Sequence, residues 1–234
     1  MNLSDATPPA DTEGPGDDPS RGLLLEAFAA GTRPLRRAGK RLLRQLDRRA
    51  HPLRRRFALR RIRGRGPLRR ILFVCHGNIC RSPYGEFRLR RLLEEALGAD
   101  ADRPRVVVSS VGFVHPGRPV PRAALEVAAR RGLDLEEHRS RVLTMPHLRG
   151  ADLVLVMTAR QRRDLLWSYG VADVVHLGDL DPGPIEARDV FDPYGHPPEV
   201  FEEVYTRLDR ILGELAALVV ASLEGDRTAH GTST

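Results

Sequence analysis

Short apolar runs alternate with amphipathic stretches over most of residues 68–223, and that alternation predicts the architecture. Ile71-Leu72-Phe73-Val74, Val106-Val107-Val108 and Leu153-Val154-Leu155-Val156 are apolar at consecutive positions, as strands covered on both sides are. The pattern predicts strands at 70–75, 105–110, 152–157 and 173–177, with helices at 83–97, 121–131, 159–168 and 198–221 between and after them. Such alternation implies an α/β fold, a parallel sheet with helices on both faces. In sheets of this kind ligands bind beyond the carboxyl ends of the strands.

The pattern is different before residue 68. Residues 1–21 are rich in Pro, Gly, Asp and Thr with almost no large apolar side chains, the composition of a disordered tail, and 224–234 read the same way. Residues 22–67 read as a basic, partly helical amphipathic extension in which Leu42, Leu46, Ala50, Leu53 and Phe57 recur at three- or four-residue spacing between arginines. Pro34 and Pro52 are expected to break or kink any helix there. Gly64-Arg65-Gly66-Pro67 marks a boundary, so the globular domain is expected to start at Leu68.

Charge sharpens this division. Of the net +7, residues 1–68 hold 16 Arg and Lys against 7 Asp and Glu, and residues 69–234 hold 22 against 24. The basicity therefore belongs to the extension. It suits an arm resting on its own domain or a subunit partner, a peripheral contact of residues 22–66 with an anionic membrane, or phosphate contacts to nucleic acid. Without aromatic anchors or a base-reading motif the arm on its own domain or a partner is the first expectation, the membrane contact the second and nucleic acid the last. No apolar stretch approaches the roughly 18 residues of a membrane span. The first residues carry Asp5, Asp11, Glu13, Asp17 and Asp18 rather than the basic start of a secretory signal. Two cysteines, Cys75 and Cys80, are too close together to staple a fold, so a reducing, cytoplasmic setting is expected.

Those cysteines frame the stretch that carries chemistry, Cys75-His76-Gly77-Asn78-Ile79-Cys80-Arg81-Ser82, set between the first strand and a helix that opens at Pro83. Free backbone N–H groups at a helix start favour an oxyanion. Gly77 is expected to supply a backbone conformation closed to other residues, with Asn78 the next most tolerant. Arg81 can bind two phosphate oxygens with its planar fork. Cys75 is the nucleophile by position, because a positive loop at a helix N-terminus favours its thiolate, and Ser82 can hydrogen-bond the sulfur. The spacing of Cys75 and Arg81 alone is cheap in so arginine-rich a chain; the Gly-Asn and Ser-Pro pairs between strand and helix make it specific. The pattern describes a cysteine-dependent phosphatase. His76 flanks the slot, and Cys80 is expected to pack beneath the loop. Trp167 is expected in the core. Candidate proton donors are the aspartates of one later loop, Asp179, Asp181, Asp189 and Asp192, two of which precede proline. The remaining histidines show no metal-ligand spacing.

With these residues the chain resembles the low-molecular-weight protein tyrosine phosphatases, whose phosphate loop reads Cys-x-Gly-Asn-x-Cys-Arg-Ser-Pro after a strand. The resemblance continues through Ser109-Ser110, Pro121-Arg122-Ala123, Gly132-Leu133-Asp134, His138-Arg139-Ser140-Arg141, Ala151 to Met157 and Asp192-Pro193-Tyr194-Gly195, covering about 69–223. It implies a four-stranded parallel sheet, no metal or other cofactor, and a phosphocysteine intermediate. It makes Asp192 the general acid and base, and His138 a hydrogen-bonding partner of Asn78 with Ser110 in the same network. It also implies a reversible disulfide between Cys75 and Cys80. Tyr194 is then one wall of a slot for an aromatic substrate, or a packed loop tyrosine.

Substrate choice turns on the departures. Ser110-Val111-Gly112-Phe113-Val114-His115-Pro116 replaces the usual specificity loop, and Thr158 stands where Asp is frequent. Ile79 is bulky and apolar, whereas relatives acting on phosphoarginine carry a threonine there. Phosphotyrosine in proteins, a bacterial tyrosine kinase among them, is therefore the expected substrate, with phosphoarginine as the alternative. An arsenate reductase would need cysteines beyond Cys80 to pass on a disulfide. Against a non-catalytic phosphate-binding or tethering module stands the presence of both the loop and the acid.

Overall fold

A computed structural model describes residues 42, 44–98 and 106–230, the side chains of 227–230 excepted. It has two compact units, Met1–Arg44 and Gln45–Thr234; the elements described next belong to the second. The expected tail 1–21 and the segment 22–41 lie outside the described residues. In chain order the elements are α1 (45–63), β1 (Arg70–Cys75), α2 (Arg81–Leu97), β2 (Val107–Gly112), α3 (Arg122–Arg130), α4 (Met145–Arg149), β3 (Leu153–Val156), α5 (Ala159–Tyr169), β4 (Val175–His176), a 3₁₀ turn at Leu177–Leu180, and α6 (Pro198–His230).

The four strands form one parallel sheet in the order β2-β1-β3-β4. Period-two alternation along β1 divides the core. Ile71, Phe73 and Cys75 face a cluster built with α1, α2, α3 and α6, while Leu72 and Val74 face a smaller cluster with α4 and α5. The consecutive apolar run of β1 therefore reports burial on both faces. β1 lies in the middle of the sheet, so its carboxyl end, and the loop after it, opens between β2 and β3 where the strand order reverses.

Several expectations are corrected. Residues before Leu68 are packed on the domain. Gly64 and Arg65 close α1 with backbone bonds to Arg60 and Ile62, but Leu59 and Ile62 already enter the main core cluster, so the chain break is not a domain break. Pro52 does not interrupt α1. It deletes one backbone donor, and side-chain bonds from Arg48 to the Ile185 carbonyl and from His51 to the Asp181 carbonyl hold the helix to the domain around it. Residues 224–230 continue α6 rather than forming a tail. Trp167 is 83% exposed rather than in the core, because α5 buries Gln161 and Leu165 and its C-terminal turn faces outward. β2 runs from Val107 to Gly112, two residues beyond the expected 105–110 at its carboxyl end. No helix among the described residues is long and apolar enough to cross a membrane.

Candidate active site

The loop 76–80 joins the carboxyl end of β1 to the first turn of α2. Cys75, at the strand terminus, is buried, and two donors point at its sulfur: the Asn78 N–H at 3.2 Å and the Ser82 hydroxyl at 3.0 Å. The left-handed residue of the loop is Asn78, with φ 51°, and not Gly77 as expected from its freedom. A Cβ on Gly77 would meet only Ile79, at ordinary contact distance. Asn78 tolerates this conformation because its polar groups are all engaged. Its amide donates to Ser82 Oγ (2.9 Å) and Ser110 Oγ (2.8 Å), its side-chain oxygen accepts from the Arg141 N–H, and its carbonyl accepts from His138 Nε2.

The direction of these bonds follows from one carboxylate. Glu86, buried on α2, accepts the Ser110 proton at 2.6 Å, so Ser110 receives from Asn78. The second Asn78 amide hydrogen then occupies a lone pair of Ser82, whose own proton is left for the Cys75 sulfur. The arrangement suits a thiolate, which accepts and has no proton to give. Burial, chiefly, holds His138 below the ordinary imidazole range, so it serves as a neutral donor to the loop. Cys80 differs from Cys75: burial, then the neighbouring Cys75 and Asp192, push its thiol far up, and it stays protonated beneath the loop. Tyr205, on α6, donates from below to the Cys80 carbonyl and stacks on Tyr84 with ring centroids 3.7 Å apart.

β2 approaches closely. A Cβ on Gly112 would lie 2.7 Å from both the Asn78 nitrogen and the His76 oxygen, so only glycine fits under the loop. In exchange the Phe113 N–H reaches the His76 carbonyl at 2.8 Å. The N–H groups of Gly77, Ile79 and Cys80 donate to no protein group among the described residues, which leaves them for a bound oxyanion. Arg81 is 3% exposed, donates to the Val190 carbonyl at 3.0 Å and pairs with Asp192, and its Nε has no partner.

These groups line a cleft of about 300 Å³. Cys75 and Arg81 form the floor with Cys80 and Gly77. Ile79, Val114 and Tyr194 supply apolar wall; His76, His115, Arg118 and Asp192 ring the opening. Arg118 donates to the Tyr194 hydroxyl at 3.0 Å and lies over its ring, fixing that half-exposed side chain at the rim. Tyr194 is therefore not packed within its loop. Asn78, Ser82 and Ser110 are fully buried, and their side chains shape the loop instead of lining the cleft.

The four candidate aspartates separate cleanly. Asp181 is fully buried and bound by Arg207 and Arg210; burial pushes its carboxyl up, but those arginines and the Gly183 N–H outweigh it and hold it below the usual range. Asp179 is locked by Arg188. Asp189 accepts from His176 and the Ala159 N–H, which likewise overcome burial. Only Asp192 lines the cleft. Sequence reasoning missed Glu86, Arg141 and Arg118. Glu86 was findable, since it follows Ser82 by four residues on one helix face; the arginines were hidden in a chain full of them. Among the described residues no three side chains cluster to hold a metal.

The profile of the low-molecular-weight phosphotyrosine protein phosphatases matches residues 70–228. The Escherichia coli low-molecular-weight protein-tyrosine-phosphatase Etp is 37% identical over 149 residues, covering 62% of this chain and 91% of its own. Among solved structures, the tyrosine phosphatase Wzb of Escherichia coli K30 with sulphate superposes with a TM-score of 0.55 at 30% identity, over 64% of this chain and 97% of that one. The YwlE arginine phosphatase of Geobacillus stearothermophilus gives 0.54 at 29%, over 70% and 97%.

Proposed function

Because the chain belongs to the low-molecular-weight phosphotyrosine protein phosphatase family, we propose that it hydrolyses phosphotyrosine in proteins with Cys75 as nucleophile, Arg81 as phosphate clamp and Asp192 as general acid and base. The single observation that carries the assignment is the convergence on one cleft of a sulfur with two donors aimed at it, a buried guanidinium with a free Nε, and one unburied carboxylate.

The phosphoryl group enters above Cys75, and its oxygens take the loop N–H groups and Arg81, which leaves Asp192 for them. The sulfur attacks phosphorus; the bond to the phenolic oxygen breaks as Asp192 delivers its proton there. The second step reverses the roles. Asp192, now a carboxylate, takes a proton from water, whose oxygen attacks phosphorus and expels the thiolate, the leaving group that Ser82 and the Asn78 N–H stabilise. Phosphotyrosine is favoured over phosphoarginine by the walls: Ile79, buried and apolar, and Tyr194 at the rim suit a flat ring.

The proposed partner is a tyrosine-phosphorylated protein, a bacterial tyrosine kinase among them, met in a reducing cytoplasm. Hydrolysis of p-nitrophenyl phosphate by the full chain should fall to background in Cys75→Ser; turnover surviving that change sinks the nucleophile. Phosphotyrosine and phosphoarginine peptides assayed side by side should differ in favour of the former, and the opposite order transfers the assignment to phosphoarginine.

A further inference from the structure

The outer face of α1 takes no part in the phosphatase chemistry, and its orientation is not free to change. The inner face is committed to the domain through His51, Arg55 on Glu214, Leu59 and Ile62. On the opposite side Leu46, Leu53 and Phe57 stand exposed by 52%, 57% and 60%. Steps of seven and four residues place them on one stripe. Single exposed leucines mean nothing, but this stripe holds most of the apolar positions that made the segment look amphipathic. Arg49, Arg56 and Arg60 flank it, exposed, and none meets a carboxylate among the described residues.

We propose that this face is a docking surface for an anionic lipid bilayer, lying parallel to the membrane plane with the apolar stripe below the phosphates and the guanidinium groups among them. Charge selects the occupant. The only acid in 45–63 is Asp47, which is turned inward to Arg54 and the Arg188 N–H, so the outer face carries no negative charge. A second copy of the chain would set arginine against arginine. Residues 22–41 carry five cations against Glu26 and would meet the same repulsion. A nucleic acid would satisfy the arginines and leave three large apolar side chains in water. An anionic bilayer takes both halves of the face.

The test is co-sedimentation of the full chain with vesicles of phosphatidylcholine alone and of phosphatidylcholine with phosphatidylglycerol. Binding is expected to the mixed vesicles only, to weaken as salt rises, and to drop at least about tenfold in the double variant Leu53→Asp, Phe57→Asp, with p-nitrophenyl phosphate turnover unchanged. In a Trp167→Phe background, Phe57→Trp should show water-exposed emission in solution and a blue shift with the mixed vesicles. Equal binding to both vesicle types, undiminished binding of the double variant, or no blue shift overturns the proposal. So does emission already blue-shifted in solution, which would mean that the chain itself covers the face. A change of oligomeric state in the double variant, read by light scattering, would assign the face to a second copy.

Discussion

Between Cys75 and Ser82 the proposed nucleophile, both donors to its sulfur and the proposed phosphate clamp Arg81 lie within eight consecutive residues. The segment 177–192 on the other side of the cleft takes its shape from partners scattered along the chain: Asp47 binds the Arg188 N–H from 141 residues away, His51 binds the Asp181 carbonyl from 130, and α6 contributes Arg207 and Arg210. Gly178 shows how tightly that segment is folded, since a Cβ there would lie 1.9 Å from the Arg188 carbonyl oxygen. One wall of the site is specified locally and the other by tertiary charge pairing. The difference predicts where damage should appear: in the chemistry at the loop and at Asp192, in stability at the buried aspartates that hold the 177–192 segment.

The sharpest way to break this comparison is to exchange the two Asp-Pro aspartates. Asp192→Asn should lower kcat on a phenyl phosphate by about a thousandfold, the worth of a positioned general acid, while Asp181→Asn should leave kcat within about threefold of the parent, since Asp181 touches no reacting atom. The reverse pattern would move the acid. Next in size, Asn78→Ala removes the donor that orients Ser82 and the residue that tolerates the left-handed turn, and a misplacement of that kind costs about a hundredfold in kcat/KM; an unchanged rate would show that Ser82 and the sulfur do not depend on the network.

Asp181→Asn gives the smaller, structural effect. Its loss leaves Arg207 and Arg210 facing an uncharged amide, and the penalty is on the order of 2 kcal/mol, below that of a fully buried pair because the Arg210 side chain is 40% exposed. The folded-state carboxyl lies below its ordinary value, so its stabilisation is complete above about pH 4, the unfolded value, and is lost as pH falls through the folded one. The gap between the thermal melts of parent and variant should therefore narrow as pH falls from about 4 towards 2. A constant gap would mean that the ion pairs are not its source.

The phosphate loop could be read from the chain almost whole, because its chemical groups lie within eight consecutive residues, although Ser110, His138 and Arg141 come from afar to hold it. Cys75, Asn78, Arg81 and Ser82 lie together between a strand and a helix as their spacing suggests, with the correction that Asn78 and not Gly77 adopts the left-handed turn. The parallel sheet was legible for a similar reason, as burial on both faces leaves consecutive apolar residues in β1 and β3, whereas β2, at the sheet edge, exposes Val107. The acid loop was not. Asp179, Asp181, Asp189 and Asp192 are alike in composition and neighbourhood, and their roles separate only through partners brought in by folding.

α1 makes the same point from the other end. Its repeat of leucines announced an amphipathic helix, but periodicity cannot say which face meets the domain. The face that docks uses His51, Arg55, Leu59 and Ile62, while Leu46, Leu53 and Phe57 turn outward. By itself the sequence determined the strands, the nucleophile's loop and the class of reaction, all of which rest on residues within a few positions of one another. Tertiary structure decided which aspartate lines the cleft, which carboxylate orients the loop's hydrogen bonds, and which side of α1 is left exposed. Long-range ion pairing and core packing select among groups that are chemically identical along the chain.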